Sequence, residues 1–90
     1  MAYISIPTVM VNYADNQKTF ETQAKSVQEA FNDLTGTYPQ IKERIFKEDA
    51  NILDHVRVFL NDEDIDSIDG LNSVLNSRDE INIIVAMAGG

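Results

Sequence analysis

The most apolar segment of the chain lies close to its end and restricts the possible folds. Residues 81–86 read Ile-Asn-Ile-Ile-Val-Ala, with apolar side chains at odd and even positions alike. An edge strand or a strand with one wet face alternates apolar with polar residues, whereas a continuous apolar run is typical of a central strand. The sequence therefore predicts that the last strand is central, with earlier strands on both sides of it.

Several earlier segments have the pattern of strands. Residues 3–6 alternate apolar with polar residues, and residues 18–22 do so again after the turn-rich segment 12–17, which predicts a hairpin of two strands. Residues 55–61 form the next alternating segment, in which Val56, Val58 and Leu60 share one face. An acidic turn follows, and we expect a short return strand to begin at Ile65.

One helix is predicted between the hairpin and the third strand. Ser26 and Glu29 have the spacing of a capping box, in which both side chains accept hydrogen bonds from amides at a helix start. The apolar stripe that follows has helical spacing and consists of Val27, Ala30, Phe31 and Leu34. Gly36 is suited to a left-handed C-terminal cap and Pro39 cannot continue a helix, so we expect the helix to end near Thr35. After Pro39, the spacing of Ile41 and Ile45 predicts a short helical turn.

The order of these elements favours one topology. Ninety residues suit a single domain, here residues 1–90. A final strand that lies parallel to the first, with the helix crossing one face, gives the β-grasp arrangement of ubiquitin-like proteins. The predicted fold class is therefore α+β, with a mixed sheet of four to five strands, one main helix packed on one face, and residues 86–90 as an extended tail.

Composition excludes several classes of function. Fifteen acidic residues against seven basic ones give a net charge of −8, which disfavours nucleic acid as a partner. No cysteine and a single histidine leave no expected metal site, and the four glycines form no phosphate-binding loop, so no bound cofactor is expected. No apolar run approaches the roughly eighteen residues of a membrane span, and a cytoplasmic location is the default expectation.

The sequence ends in Met87, Ala88, Gly89 and Gly90. A strand that continues into glycines gives an extended segment without bulky side chains, which can enter a narrow channel of another protein. The α-carboxylate of Gly90 then becomes the functional group. The alternative is an ordinary frayed terminus, because small residues are common at chain ends.

Four segments together resemble a known family. They are Ser5–Thr8, Val58–Ile65, Asp79–Ile81 and Ala88–Gly90. The chain resembles the ThiS/MoaD-type sulfur carrier proteins over nearly its whole length, and the first two segments are similar to the branch that serves cysteine biosynthesis.

This resemblance implies a cycle in which the chain is a cosubstrate and not an enzyme. An E1-like adenylating enzyme would use ATP to activate the carboxylate of Gly90, which sulfur then converts to a thiocarboxylate. Met87, Ala88 and Gly89 would lie in the partner's channel. The acceptor enzyme would be a cysteine synthase-like enzyme that uses pyridoxal phosphate, the large subunit of molybdopterin synthase, or thiazole synthase.

Strand parity also predicts a docking surface. If Val58 and Ile83 face the helix, Phe59 and Ile84 face outward on neighbouring strands, where apolar side chains can anchor a partner. The alternative is that Arg57 and Tyr3 cover this pair.

Two other functions remain open at this point. A ubiquitin-like modifier would use the same adenylated terminus to form isopeptide bonds with lysines. A β-grasp interaction module, whose terminal glycines are incidental, would need no reaction at Gly90.

Overall fold

A computed structural model of the protein describes residues 1–86, which form one five-stranded sheet with two α-helices. The strands are β1 (Ala2–Ser5), β2 (Thr19–Thr22), β3 (Val56–Leu60), β4 (Glu63–Asp64) and β5 (Glu80–Val85). The helices are α1 (Val27–Thr37) and α2 (Lys42–Ile45), and 3-10 turns cover Thr8–Tyr13, Pro39–Ile41, Ile65–Ser67 and Gly70–Asn72.

Strand β5 lies at the centre of the sheet, whose order is β2-β1-β5-β3-β4. It runs parallel to β1, with Ile4 opposite Ile81, and antiparallel to β3, with Val58 opposite Ile83. Strands β1 and β2 form the antiparallel hairpin. These pairings confirm the central position of the last strand and the predicted β-grasp topology.

One face of the sheet packs against α1 and forms the core. The largest fully buried side chains are Phe31, Ile4, Leu34, Ile41, Ile45, Ile65, Ile81, Val27 and Val58. Phe31 meets Phe46 edge to face, with ring centroids 5.5 Å apart. Within residues 1–86, every buried side-chain nitrogen or oxygen has a hydrogen-bond partner. No helix in that part of the chain has the length and apolar character needed to cross a membrane.

The start of α1 follows the predicted capping box with one change. The Ser26 hydroxyl accepts a hydrogen bond from the Glu29 N–H at 3.1 Å. The Glu29 carboxylate accepts one from the Lys25 N–H, also at 3.1 Å, and not from Ser26 itself. The Val27 N–H donates to the Ser73 carbonyl at 3.0 Å. Three amides near the helix start are thus satisfied, and the last of these bonds ties α1 to the segment before β5.

The prediction that α1 ends near Thr35 with Gly36 as a left-handed cap is wrong. The helix continues to Thr37, and Gly36 does not adopt a positive φ. A glycine inside a helix costs only about 1 kcal/mol relative to alanine, so the helix can pass through it. The helix stops at Tyr38, with φ −126° and ψ 79°, because the following Pro39 disfavours a helical conformation in the residue before it.

The prediction that the short return strand begins at Ile65 is also wrong. Strand β4 comprises Glu63 and Asp64, and Ile65 begins a 3-10 turn. The Asp64 carboxylate accepts a hydrogen bond from the Asp66 N–H at 2.9 Å and caps this turn. The turn places Ile65 in the core, where the side chain gains more from burial than an edge strand would offer.

The sequence also predicts one helical turn of apolar contacts from Leu71, Val74 and Leu75, and this turn forms only in part. A 3-10 turn covers Gly70–Asn72, and Leu75 is buried. Val74, expected to pack inward, is 65% exposed and lies in an isolated bridge opposite Ser26. The bridge fixes an extended backbone, so neighbouring side chains point to opposite sides.

Candidate functional site

The predicted reactive end of the chain begins at one end of the sheet. Strand β5 ends at Val85, and the Ala86 N–H donates to the His55 carbonyl at 2.8 Å, which continues the pairing with β3 by one residue. The backbone is therefore fixed to the sheet up to the last described residue. The predicted functional residues Met87, Ala88, Gly89 and Gly90 lie outside the described residues.

Three connecting segments meet at this end of the sheet. They are the 3-10 turn after β1, helix α2, and the residues just before β3. Together they enclose a cleft of about 240 Å³ beside the end of β5. Its lining consists of Val9, Met10, Tyr13, Glu43, Arg44, Leu53, His55 and Val85. Because Val85 belongs to this lining, we call it the strand-end cleft.

The strand-end cleft contains an arginine held against a tyrosine. Arg44 Nη2 donates to Tyr13 Oη at 2.6 Å, and the guanidinium carbon lies 4.4 Å from the centre of the Tyr13 ring. Stacking and the hydrogen bond together orient the guanidinium group. Sequence reasoning missed this pair, since the two residues are 31 positions apart and neither belongs to a recognisable motif.

Phe59 and Ile84 lie on the open face of the sheet, as strand parity predicts. Ile84 is 49% exposed, and Phe59 is partly exposed. The register places Phe59 opposite Asn82 and Ile84 opposite Arg57, so the two apolar side chains are diagonal neighbours. Diagonal neighbours across strands are within reach of aromatic and long side chains. The open face thus contains a small apolar pair, and its docking role stays a prediction.

The alternative prediction is that Arg57 and Tyr3 cover this pair. Arg57 Nη1 lies 3.4 Å from Asp64 Oδ2, so the guanidinium is engaged with β4. Tyr3 lies opposite Glu80 on β5 and is itself 39% exposed. Ile84 keeps about half of its surface in water, and the cover is therefore incomplete.

The acidic segment after β3 has structural contacts. Asp64 forms the ion pair with Arg57 and caps the following turn. No group of three or more His, Cys, Asp or Glu side chains within residues 1–86 is arranged to hold a metal ion.

A second ion pair lies in the loop before β3. Lys47 Nζ is 2.8 Å from Asp54 Oδ1. The hydrogen bond from Lys47 and its positive charge lower the pKa of the Asp54 carboxyl, and the same contact raises the pKa of Lys47. Both groups are in solvent, which makes this an ordinary surface ion pair.

The strand order, the register and the single crossing helix define the chain as a β-grasp protein of the ubiquitin-like class. The chain belongs to the ThiS family, whose model matches residues 4–90. It is 29% identical over 89 residues to the sulfur carrier protein CysO of Mycobacterium tuberculosis. The aligned residues cover 97% of this chain and 96% of that relative.

Solved structures agree with this assignment. A chain of the BexX/CysO complex from Amycolatopsis orientalis superposes with a TM-score of 0.91 and 30% identity over 100% of both chains. CysO of Mycobacterium tuberculosis gives a TM-score of 0.88 with 25% identity, covering 97% of this chain and 100% of that one. SAMP1 of Haloferax volcanii, at 22% identity and a TM-score of 0.83 over 99% of this chain and 98% of that one, shares the fold.

Proposed function

We propose that this protein is a sulfur carrier whose C-terminal Gly90 carboxylate is converted to a thiocarboxylate. The observation that carries the proposal is the match to the ThiS family over residues 4–90, which includes both terminal glycines. The similarity to sulfur carrier proteins named CysO over nearly the full length of both chains supports it further. In this role the chain is a substrate of partner enzymes and has no catalytic centre of its own.

The chemistry requires activation because a carboxylate has no good leaving group. An E1-like enzyme would join the Gly90 carboxylate to the α-phosphate of ATP, which forms an acyl adenylate and releases pyrophosphate. Hydrosulfide would then attack the carbonyl carbon, the bond to AMP would break, and a thiocarboxylate would remain. The new sulfur atom carries the nucleophilic electron pair that the second enzyme uses.

The fold suits this role because it fixes the start of the reactive segment. Strand β5 is paired on both sides, and its backbone is held through Ala86. Five residues from Ala86 to Gly90 span roughly 17 Å when fully extended. That length would allow a partner to take the carboxylate into a channel while it binds the folded domain outside. Ala88 carries only a methyl group and Gly89 has no side chain, so both would fit such a channel.

The favoured acceptor is of the cysteine-forming type. The support is the similarity to CysO, at 29% identity over 89 residues. The thiocarboxylate would attack an activated alkene held on pyridoxal phosphate by the acceptor enzyme, and both ATP and this cofactor would belong to partners. Phe59 and Ile84 would contribute to docking on the open face of the sheet. Molybdopterin synthase and thiazole synthase are the other acceptor enzymes to test.

Intact-mass analysis tests the proposal directly. The chain is incubated with ATP, hydrosulfide and the E1-like enzyme encoded in the same genome, and replacement of one oxygen by sulfur should add about 16 Da. Gly90→Ala and a variant with one residue appended after Gly90 should show no gain, because a methyl group or a displaced carboxylate disturbs the reacting geometry. Both variants should unfold at the wild-type temperature.

Other results would point elsewhere. Wild-type protein that gains no sulfur although the enzyme consumes ATP would contradict the proposal. Gly90 joined to lysine side chains would indicate a ubiquitin-like modifier. If Gly90→Ala retained full function in cells, the chain would instead be an interaction module.

A further inference from the structure

We propose that the Tyr13–Arg44 pair in the strand-end cleft is a docking point for a carboxylate side chain of the activating enzyme. This inference rests on the proposed function, because the enzyme in question is the one that takes up residues 87–90. It adds to that function a specific recognition residue, Arg44, and the chemistry of the group that Arg44 binds.

The first support is the state of the guanidinium group. Arg44 is exposed, and only one of its nitrogens donates to Tyr13. Within residues 1–86, ion pairs closer than 4.0 Å join Lys47 to Asp54 and Arg57 to Asp64, and none involves Arg44. None of the N–H donors of Arg44 therefore has a carboxylate partner in that part of the chain. A planar guanidinium with open donors matches a carboxylate in a two-bond arrangement.

The second support is preorganisation. The guanidinium carbon lies 4.4 Å from the centre of the Tyr13 ring, and the hydrogen bond to the Tyr13 hydroxyl is 2.6 Å long. An unrestrained arginine loses considerable side-chain entropy when it is fixed in an interface. Arg44 is already restrained in the free protein, so less of that cost falls on the binding step.

The third support is position. The strand-end cleft includes Val85, and Ala86 is bonded to His55 at the same end of the sheet. A specific interface covers about 800 Å² on each partner, which is far more than a four-residue segment offers. An enzyme that encloses residues 87–90 must therefore contact the surface around Ala86. Val9 is 55% exposed in the cleft lining and offers apolar area beside the guanidinium.

The net negative charge of the chain restricts where a carboxylate of the partner can bind. The chain has a net charge of −8, so most of its surface attracts a basic partner. Glu43 also lines the cleft and places a negative charge beside Arg44. A partner aspartate or glutamate would be repelled from much of this acidic surface and could pair with Arg44 at the strand end, which would fix the orientation in which the enzyme meets that end.

The test compares single variants of the full chain for binding to the E1-like enzyme encoded in the same genome. Arg44→Gln should raise the Kd about tenfold, because it removes a charge-assisted hydrogen-bond donor from the interface. Arg44→Lys keeps the charge but lacks the planar fork, and it should recover only part of the affinity. Arg78→Gln is the matched control, since Arg78 is exposed and its N–H donates to the Met1 carbonyl at the opposite end of the sheet.

Three further measurements on the same samples separate the possible outcomes. Pyrophosphate exchange reports adenylation of Gly90, intact mass reports the gain of sulfur, and thermal unfolding reports stability. If the wild type gains sulfur and Arg44→Gln binds as well as Arg78→Gln, the docking proposal is overturned while the sulfur-carrier proposal stands. If the wild type gains no sulfur but binds in a manner that depends on Arg44, the surface stands without the proposed function. Absence of both binding and sulfur overturns both proposals. Unfolding temperatures equal to that of the wild type show that a changed Kd reports docking and not stability.

Discussion

The two sides of β5 carry the same residue types in different environments. Ile81 and Ile83 face α1 and are 0% and 5% exposed, whereas Ile84 faces outward and is 49% exposed. Neighbouring isoleucines in one strand therefore have separate roles. The inward side stabilises the domain, and the outward side leaves apolar area that a partner can bury.

This difference explains why a run with apolar residues at both parities need not be buried on both sides. Burial of an isoleucine side chain contributes about 1.5–3 kcal/mol, and only the inward residues gain it within the free chain. Within residues 1–86 the outward side is only partly covered, since Ile84 is 49% exposed and Phe59 is partly exposed.

The largest expected effect comes from removing the ring that covers the inward side. Phe31→Ala should lower the free energy of unfolding by about 3–5 kcal/mol, since Phe31 is fully buried and packs against Phe46. Urea unfolding measures this loss. Phe59→Ala removes the same group from the open face and should cost less than half as much. Similar losses in the two variants would contradict the assignment of the two sides.

A pair of adjacent variants sharpens the comparison within β5 itself. Ile83→Ala should cost about 2–4 kcal/mol, because it leaves a cavity in the core. Ile84→Ala should cost less than about 1 kcal/mol, because the side chain is half in water. Chemical denaturation of both proteins gives the two values, and a larger loss for Ile84 would show that the register is wrong.

The open side should matter for binding instead. Ile84→Ala is expected to raise the Kd for the proposed activating enzyme about fivefold, as for a moderate interface anchor. Ile68→Ala serves as the control, because Ile68 is exposed to a similar degree outside the sheet. Calorimetric titration distinguishes the two, and equal affinities would remove Ile84 from the proposed docking surface.

A smaller effect on stability is expected at the start of α1. Ser26→Ala removes the acceptor for the Glu29 N–H and should cost about 1 kcal/mol. Thermal unfolding measures the change, and Ser67→Ala, in an exposed 3-10 turn, is a control. Because Ser26→Ala weakens only the helical layer on the inward side of the sheet, the affinity for the proposed activating enzyme should stay unchanged. A parallel loss of affinity would show that the two sides of the sheet are coupled.

The smallest effect is expected from the Lys47–Asp54 ion pair, which belongs to neither side. The pKa of Asp54 is lowered in the folded protein. Its contribution to the free energy of unfolding is therefore present above the ordinary pKa of 3.8 and is lost as the pH falls through the pKa of the folded protein. The pKa of Lys47 is raised above its ordinary 10.5, so that contribution is present below this value and is lost as the pH rises past the folded one.

Comparison of the wild type with Asp54→Asn measures this contribution. The difference in unfolding temperature should be small at neutral pH, vanish in acid, and shrink in high salt, because both groups are in solvent. A difference that persists in strong acid would mean that Asp54 acts through something other than its charge.

Much of the fold followed from local signals in the sequence. Ser26 and Glu29 marked the start of α1, and the alternation around Val58 gave the inward side of β3. The predictions were wrong where tertiary packing outweighed the local conformational preference of a residue. Gly36 can end a helix but here lies inside one, and Ile65 could begin a strand but is buried by a turn instead.

The candidate site divides in the same way. The parity that turns Phe59 and Ile84 outward was readable from the strands alone, whereas the partners each faces across the sheet, Asn82 and Arg57, required the register. The contact between Tyr13 and Arg44 joins the 3-10 turn after β1 to helix α2, and the whole of β2 and α1 lies between them in the sequence. This contact forms because packing of the core places both segments beside the end of β5. No local sequence pattern predicts that placement.

Local patterns in the sequence are enough to predict one central apolar strand, a capped helix and a glycine-rich end, because periodicity and capping act within a few residues. The residues that surround that strand where it ends, and the apolar side chains that stay in water, follow from the packed structure alone. Those outcomes depend on packing between segments far apart in the chain, where the burial of one side chain is possible only if another element leaves room for it.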